Sequence, residues 1–159
     1  MLLVVADTGP VHYLVEIGHI GVLPQLFERI FIPSLVCDEL RHPSARAWVN
    51  AAPDWLQVLP VTASGDPVFQ RLDDGEKSAL TLGMSLGADL ILIDDREGAA
   101  VALQKGFRIT GTLGLLIRSA QRGLLNLADA LEQLKRTNFY YRQELFDDIL
   151  KKYGKRGNG

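Results

Sequence analysis

Short apolar runs alternate along the chain with stretches in which apolar residues recur at helical spacing. The first run, residues 2–6, has no polar break and stops at Asp7. A continuous run of this length reads as a strand buried on both faces. Thr8-Gly9-Pro10 then starts a helix with Leu14 and Ile17 on one side, and Gly18 and Gly21 separate it from a second helix through Leu23, Leu26 and Phe27. Residues 30–32 form a short strand, and Pro33 suits the first position of a helix running to about Arg41. Pro43 and Ser44 mark a restart toward Trp48, and residues 55–60 read as extended. Asp73-Asp74-Gly75-Glu76 opens a helix carrying Leu80, Leu82 and Leu86, which Gly87 closes. A strand over residues 88–93 ends at Asp94-Asp95, followed by a helix over 97–105, a strand over 107–110 and a helix from about Thr112 to Arg122. Helices near residues 127–135 and 143–152 cover the outside or meet a partner.

Strand and helix in alternation, with short connections, predict an α/β fold: a three-layer α/β/α sandwich around a predominantly parallel central sheet. There is no internal repeat and no dividing linker. Residues 1–153 are therefore expected to form a single domain, with 154–159 as a basic, flexible tail.

Two buried strands thus finish on carboxylates. In an open parallel sheet, ligands bind beyond the carboxyl ends of the strands. If the two strands are neighbours, Asp7 and Asp94-Asp95 share one pocket despite their separation in sequence. Clustered carboxylates without a counter-charge make sense around a hard divalent cation such as Mg²⁺ or Mn²⁺. Each Asp is also a natural N-cap for the helix that follows it. In the helix after Pro33, at about 100° per residue, Glu39 lies about 40° from Leu35 and about 60° from Val36, whereas Asp38 lies about 200° from Val36. Glu39 therefore borders the buried face and Asp38 points to water. Glu76 sits in the first turn of its helix, where the macrodipole alone favours an acid.

Composition narrows the reading. The 159 residues are 47% hydrophobic and 23% charged, which excludes a disordered body, and a net charge of −2 excludes a surface covered with nucleic-acid contacts while leaving room for a local basic patch. A single cysteine, Cys37, excludes an internal disulfide and a cysteine-rich zinc site. Asp7 interrupts the opening apolar run, which also lacks the basic start of a secretory signal, so a soluble cytoplasmic protein with no membrane association is expected. His12, His19 and His42 read as surface residues, and no nucleophile triad is needed. The first strand is not followed by the glycine pattern of a dinucleotide site, and there is no phosphate-binding P-loop. A phosphoacceptor receiver domain would need an acidic pair after the first strand and a Lys after the last.

Five segments in order resemble the PIN-domain ribonucleases, and within them the toxin-like prokaryotic branch related to VapC toxins. They are Val5-Ala6-Asp7-Thr8-Gly9-Pro10; Ile32-Pro33 through Val36 to Glu39-Leu40; Asp74-Gly75-Glu76-Lys77-Ser78-Ala79-Leu80; Gly87-Ala88-Asp89 with Ile91-Leu92-Ile93-Asp94-Asp95-Arg96; and Thr110-Gly111-Thr112-Leu113-Gly114. The resemblance implies an acidic site holding one or two Mg²⁺ or Mn²⁺ ions and hydrolysing a phosphodiester in single-stranded RNA. Carried over by position, the acids are Asp7, Glu39, Glu76 and either Asp94, favoured by spacing, or Asp95. Their carboxylates are expected to lie close enough to share metal ions, and Glu76 to be the outlier if only three converge. Glu76 departs from the family, which often has Asp there. Thr8 and Thr112 resemble hydroxyls that orient the acids or phosphate, or cap their helices. Arg96 fits a phosphate contact or an ion pair with Asp95 or Glu97, and the helix start after Gly111 could offer N–H groups to a phosphate. The resemblance further implies a cognate antitoxin and a homodimer, with apolar positions near Phe27, Trp48 and Phe139-Tyr140-Tyr141 as candidate interfaces. The alternatives are a catalytically weak PIN fold serving as a nucleic-acid-binding or scaffold protein and, less well matched, a receiver-like phosphoacceptor.

Overall fold

Alternation within the strands divides the interior into two apolar layers. In the computed structural model, which describes residues 2–40, 47, 53–62 and 65–154, the chain runs β1 (Val4–Ala6), α1 (Thr8–Glu16), α2 (Val22–Leu26), β2 (Ile30–Pro33), α3 (Ser34–Glu39), β3 (Leu56–Leu59), a 3₁₀ turn (Pro67–Phe69) and α4 (Asp74–Leu86). It continues through β4 (Leu90–Leu92), α5 (Arg96–Gln104), β5 (Arg108–Thr110), α6 (Thr112–Gln121), α7 (Leu127–Lys135) and α8 (Gln143–Tyr153). Successive strand residues point to opposite faces. Val4, Ala6, Ile30, Ile32, Leu90 and Leu92 accordingly join the core beneath α1, α3 and α6. Val5, Phe31, Ile91 and Ile93 join a second core with Leu80 of α4 and Ala102 of α5.

The five strands lie in the order β3-β2-β1-β4-β5, and every pairing is parallel. This is the expected α/β/α sandwich. Because β1 passes its chain to β2 on one side while β4 and β5 lie on the other, the order reverses at β1, where such sheets bind their ligands. Val5 stands in register with Phe31 of β2 and Ile91 of β4. The acids that follow these strands therefore emerge at the same edge.

Several local expectations shift by a residue or two. Pro33 is the last residue of β2 and the extended cap of α3, with ψ 149°, rather than the first helical residue. The α3 helix ends at Glu39 instead of about Arg41, and its Leu35 is 37% exposed while Val36 is fully buried. The restart from Pro43 toward Trp48 and the tail beyond Gly154 lie outside the described residues. Gly87 ends α4 in the left-handed conformation, φ 65°, which only glycine adopts without strain. The last two helices cover the chain's own core, in which Leu131, Leu134, Phe146 and Ile149 are buried, as is Phe27.

Candidate active site

The backbone N–H of Asp7 donates to the Leu92 carbonyl at 2.9 Å, so the pairing of β1 with β4 continues up to the residue that bears the first carboxylate. Asp7 occupies the N-cap position of α1, but its side chain makes no capping hydrogen bond. It is only 7% exposed. Burial pushes its carboxyl from the ordinary 3.8 to about 7, opposed by the Thr8 N–H and reinforced by the charges of Asp73, Glu39 and Asp94. A capping role therefore does not account for this residue.

The neighbouring acids are each held by a hydroxyl at the start of a helix. Thr8, in the first turn of α1, donates its hydroxyl to Glu39 Oε2 at 2.6 Å. Thr112, at the start of α6, donates its backbone N–H to Asp94 Oδ1 at 2.6 Å and its hydroxyl to Asp94 Oδ2 at 2.7 Å. Neither threonine caps its helix with its side chain. The Thr112 N–H is thereby committed to Asp94, contrary to the expectation that this helix start is open to a phosphate. Burial raises the Asp94 carboxyl and the two Thr112 bonds oppose the rise. The hydroxyl of Tyr13, one turn along α1, is pushed up by burial and then by the charge of Asp94.

Glycines let these carboxylates sit against backbone. A Cβ at Gly75 would lie 2.6 Å from Glu39 Oε2, and one at Gly111 would lie 2.7 Å from Asp94 Oδ1. Any side chain at either position would displace an acid.

Glu76 and Asp95 belong to a second, adjoining arrangement. Asp73 caps α4 by accepting from the Glu76 N–H at 2.8 Å, and Glu76 Oε1 accepts from the Asp73 N–H at 2.9 Å, forming a reciprocal capping box. Glu76 is 6% exposed. Burial raises its carboxyl to about 8, the Asp73 N–H opposes this, and a side-chain hydrogen bond with Asp95 raises it further. Asp95 in turn caps α5, accepting from the Gly98 N–H at 2.9 Å. The two competing acids after β4 thus face different partners, Asp94 toward Thr112 and Asp95 toward the helix it caps and Glu76. Asp73 links the two arrangements, since it both caps α4 and presses on Asp7. Sequence reasoning missed it, although Asp73-x-x-Glu76 before an apolar run is the capping-box pattern.

Among the described residues, none of these acids has a Lys, Arg or His ion partner, and Arg96, expected to contact a phosphate or to pair with Asp95 or Glu97, makes no ion pair. Nor, among the described residues, do three or more His, Cys, Asp or Glu side chains form a ready-made metal cluster. The carboxylates gather at one edge, where Glu39 and Asp94 are held by donors from Thr8 and Thr112, but among the described residues they do not meet the expectation of lying close enough to share metal ions.

A family profile described as a PIN domain matches residues 3–155. The chain belongs to the PIN-domain family, whose members are generally nucleases. Comparison with curated proteins and with solved structures yields no match. PIN domains typically use divalent metals, and the acids gathered here offer oxygen donors only, the ligand type a hard divalent cation takes, with Asp7 free of any capping bond. Among the described residues, no helix is long and apolar enough to cross a membrane.

Proposed function

We propose that this chain is a Mg²⁺- or Mn²⁺-dependent endoribonuclease that hydrolyses phosphodiester bonds in single-stranded RNA. The observation that carries this reading is the electrostatic condition of Asp7: a buried carboxyl lifted to about 7 by burial and by three neighbouring carboxylates, with no ion-paired cation beside it among the described residues. Such an arrangement lowers its free energy by binding a cation. When bound, a divalent ion supplies a water of lowered pKa and neutralises charge on the phosphate.

Asp7, Glu39 and Asp94 are the residues that would hold the ion, with Glu76 and Asp95 beside them. Thr8 and Thr112 hold Glu39 and Asp94 in place through their hydroxyl hydrogen bonds. Burial, with the side-chain hydrogen bond to Asp95, raises the Glu76 carboxyl, so that this residue would bind a cation in competition with its own proton. The order of the sequence motifs further supports a toxin of a toxin–antitoxin pair, with a small antitoxin blocking the acidic edge and the domains pairing as a homodimer.

Purified wild type, Asp7→Asn and Asp38→Asn, incubated with a mixed pool of single-stranded RNA with and without EDTA, test the activity. Metal-dependent cleavage lost in Asp7→Asn and kept in Asp38→Asn is expected. Activity that survives EDTA or Asp7→Asn would sink the proposal. RNA binding with no cleavage, together with no heat of Mn²⁺ binding by calorimetry, would favour the scaffold alternative.

A further inference from the structure

A groove of about 830 Å³ runs alongside the acidic edge, with Asp94, Asp95 and Gly111 on one side and Tyr13, Phe139 and Tyr140 among its other walls. Its volume falls within the roughly 300–1,000 Å³ typical of small-molecule sites. The aromatic wall is built rather than incidental. Tyr13 donates its hydroxyl to Asn138 Oδ1 at 2.8 Å and meets the Phe139 ring edge-on, with centroids 5.1 Å apart at 90°. These contacts tie α1 to the segment between α7 and α8, so the wall is in place before anything binds. Next along that segment, Tyr141 stacks on Phe146 in the core, whereas Tyr140 is 83% exposed at the groove. Arg96, without an ion pair among the described residues, lines the same groove at the start of α5.

We infer that this groove takes an unpaired stretch of the RNA strand next to the cleaved bond, with a base stacked on Tyr140 beside Phe139 and Tyr13 and a flanking phosphate on Arg96. The inference rests on the nuclease reading of the acidic edge and extends it to substrate positioning. Every base offers a flat face, so aromatic side chains bind single strands with little sequence preference, and a duplex keeps those faces stacked away. An apolar protein segment would find Asp94, Asp95 and Arg96 set into its docking surface, at a cost in desolvation. A nucleotide strand uses the aromatic faces and the guanidinium together, and continuity with Asp94 brings the adjoining phosphodiester to the acids.

The test is binding of a short, labelled, mixed-sequence RNA to the Asp7→Asn protein in Mg²⁺, read by fluorescence anisotropy. Adding Tyr140→Ala is expected to weaken binding about tenfold or more, while Tyr140→Trp restores it. An oligomer of the same length lacking its bases should bind equally well with or without the Tyr140→Ala change. Arg96→Ala should weaken binding to both oligomers and flatten the salt dependence. Tyr140 is exposed, so its removal leaves the fold intact. Unchanged affinity on Tyr140→Ala, or no binding by the parent at low salt, overturns the inference; binding of a peptide in place of RNA does the same. Metal-dependent cleavage by wild type with affinity indifferent to Tyr140 would leave the nuclease reading standing and remove only this assignment. Tyr140-dependent binding without cleavage by wild type would do the reverse.

Discussion

Thr112 grips Asp94 twice, through its backbone N–H at 2.6 Å and its hydroxyl at 2.7 Å, and is itself fully buried. Replacing it by Val keeps the shape and the N–H bond but removes the hydroxyl. A hydrogen bond to a charged group is worth about 1.5–3 kcal/mol, so Thr112→Val should lower RNA cleavage roughly tenfold or more, and Thr112→Ser should recover most of it. Equal rates for all three proteins would show that Asp94 needs no such hold.

Gly75 makes a sharper test of Glu39, because a methyl group there would meet only the end of a flexible side chain. Gly75→Ala should therefore shift the melting temperature little, and alanine in the first turn of α4 even favours the helix. Cleavage should nonetheless fall severely as the Glu39 carboxylate is pushed from its place against α4. Thermal melts and initial rates on the same preparation separate the two effects.

Asp94 and Asp95 should part company when changed singly. Asp95→Ala removes the cap of α5 and should cost about 1 kcal/mol of stability, visible as a lower denaturant midpoint. Asp94→Asn removes the charge but keeps an acceptor for Thr112, so stability should change less and metal-dependent cleavage should vanish. The opposite pattern would exchange their roles.

The raised carboxyl of Asp7 makes stability depend on pH in a defined direction. Its folded value of about 7 exceeds the ordinary 3.8, so the folded state binds the proton more tightly and stability declines as pH climbs between them. Glu76, raised to about 8, extends the decline. In EDTA, wild type should melt lower at pH 8 than at pH 5. Asp7→Asn should reduce that difference and melt above wild type at pH 8. A wild-type melting temperature that rises over this interval would contradict the assigned burial of Asp7.

Cation binding should reverse that penalty. Any ion that binds only the folded state stabilises it in proportion to the logarithm of its concentration. Millimolar Mn²⁺ should raise the melting temperature of wild type at pH 8 and leave Asp7→Asn nearly unmoved; an equal rise in both would place the ion elsewhere.

Much of this arrangement could be read from the chain by itself. Unbroken apolar runs ending at Asp7 and Asp94 mark strands buried on both faces, and helical spacing between them leaves a parallel sheet as the economical solution. The phase of α3 separated Glu39 from Asp38, because a fixed angle per residue decides which side chain borders the core. Linear spacing could not distinguish Asp94 from Asp95, since that choice depends on Thr112 arriving from β5 and α6. The place of Asp73 beside Asp7, and the pairing of Glu76 with Asp95, likewise required three helix starts to meet at one sheet edge. Local periodicity determines which residues lie at strand ends and on buried faces; only the packed tertiary structure, through burial and through contacts between distant segments, decides which of those acids share a field and which are occupied as caps.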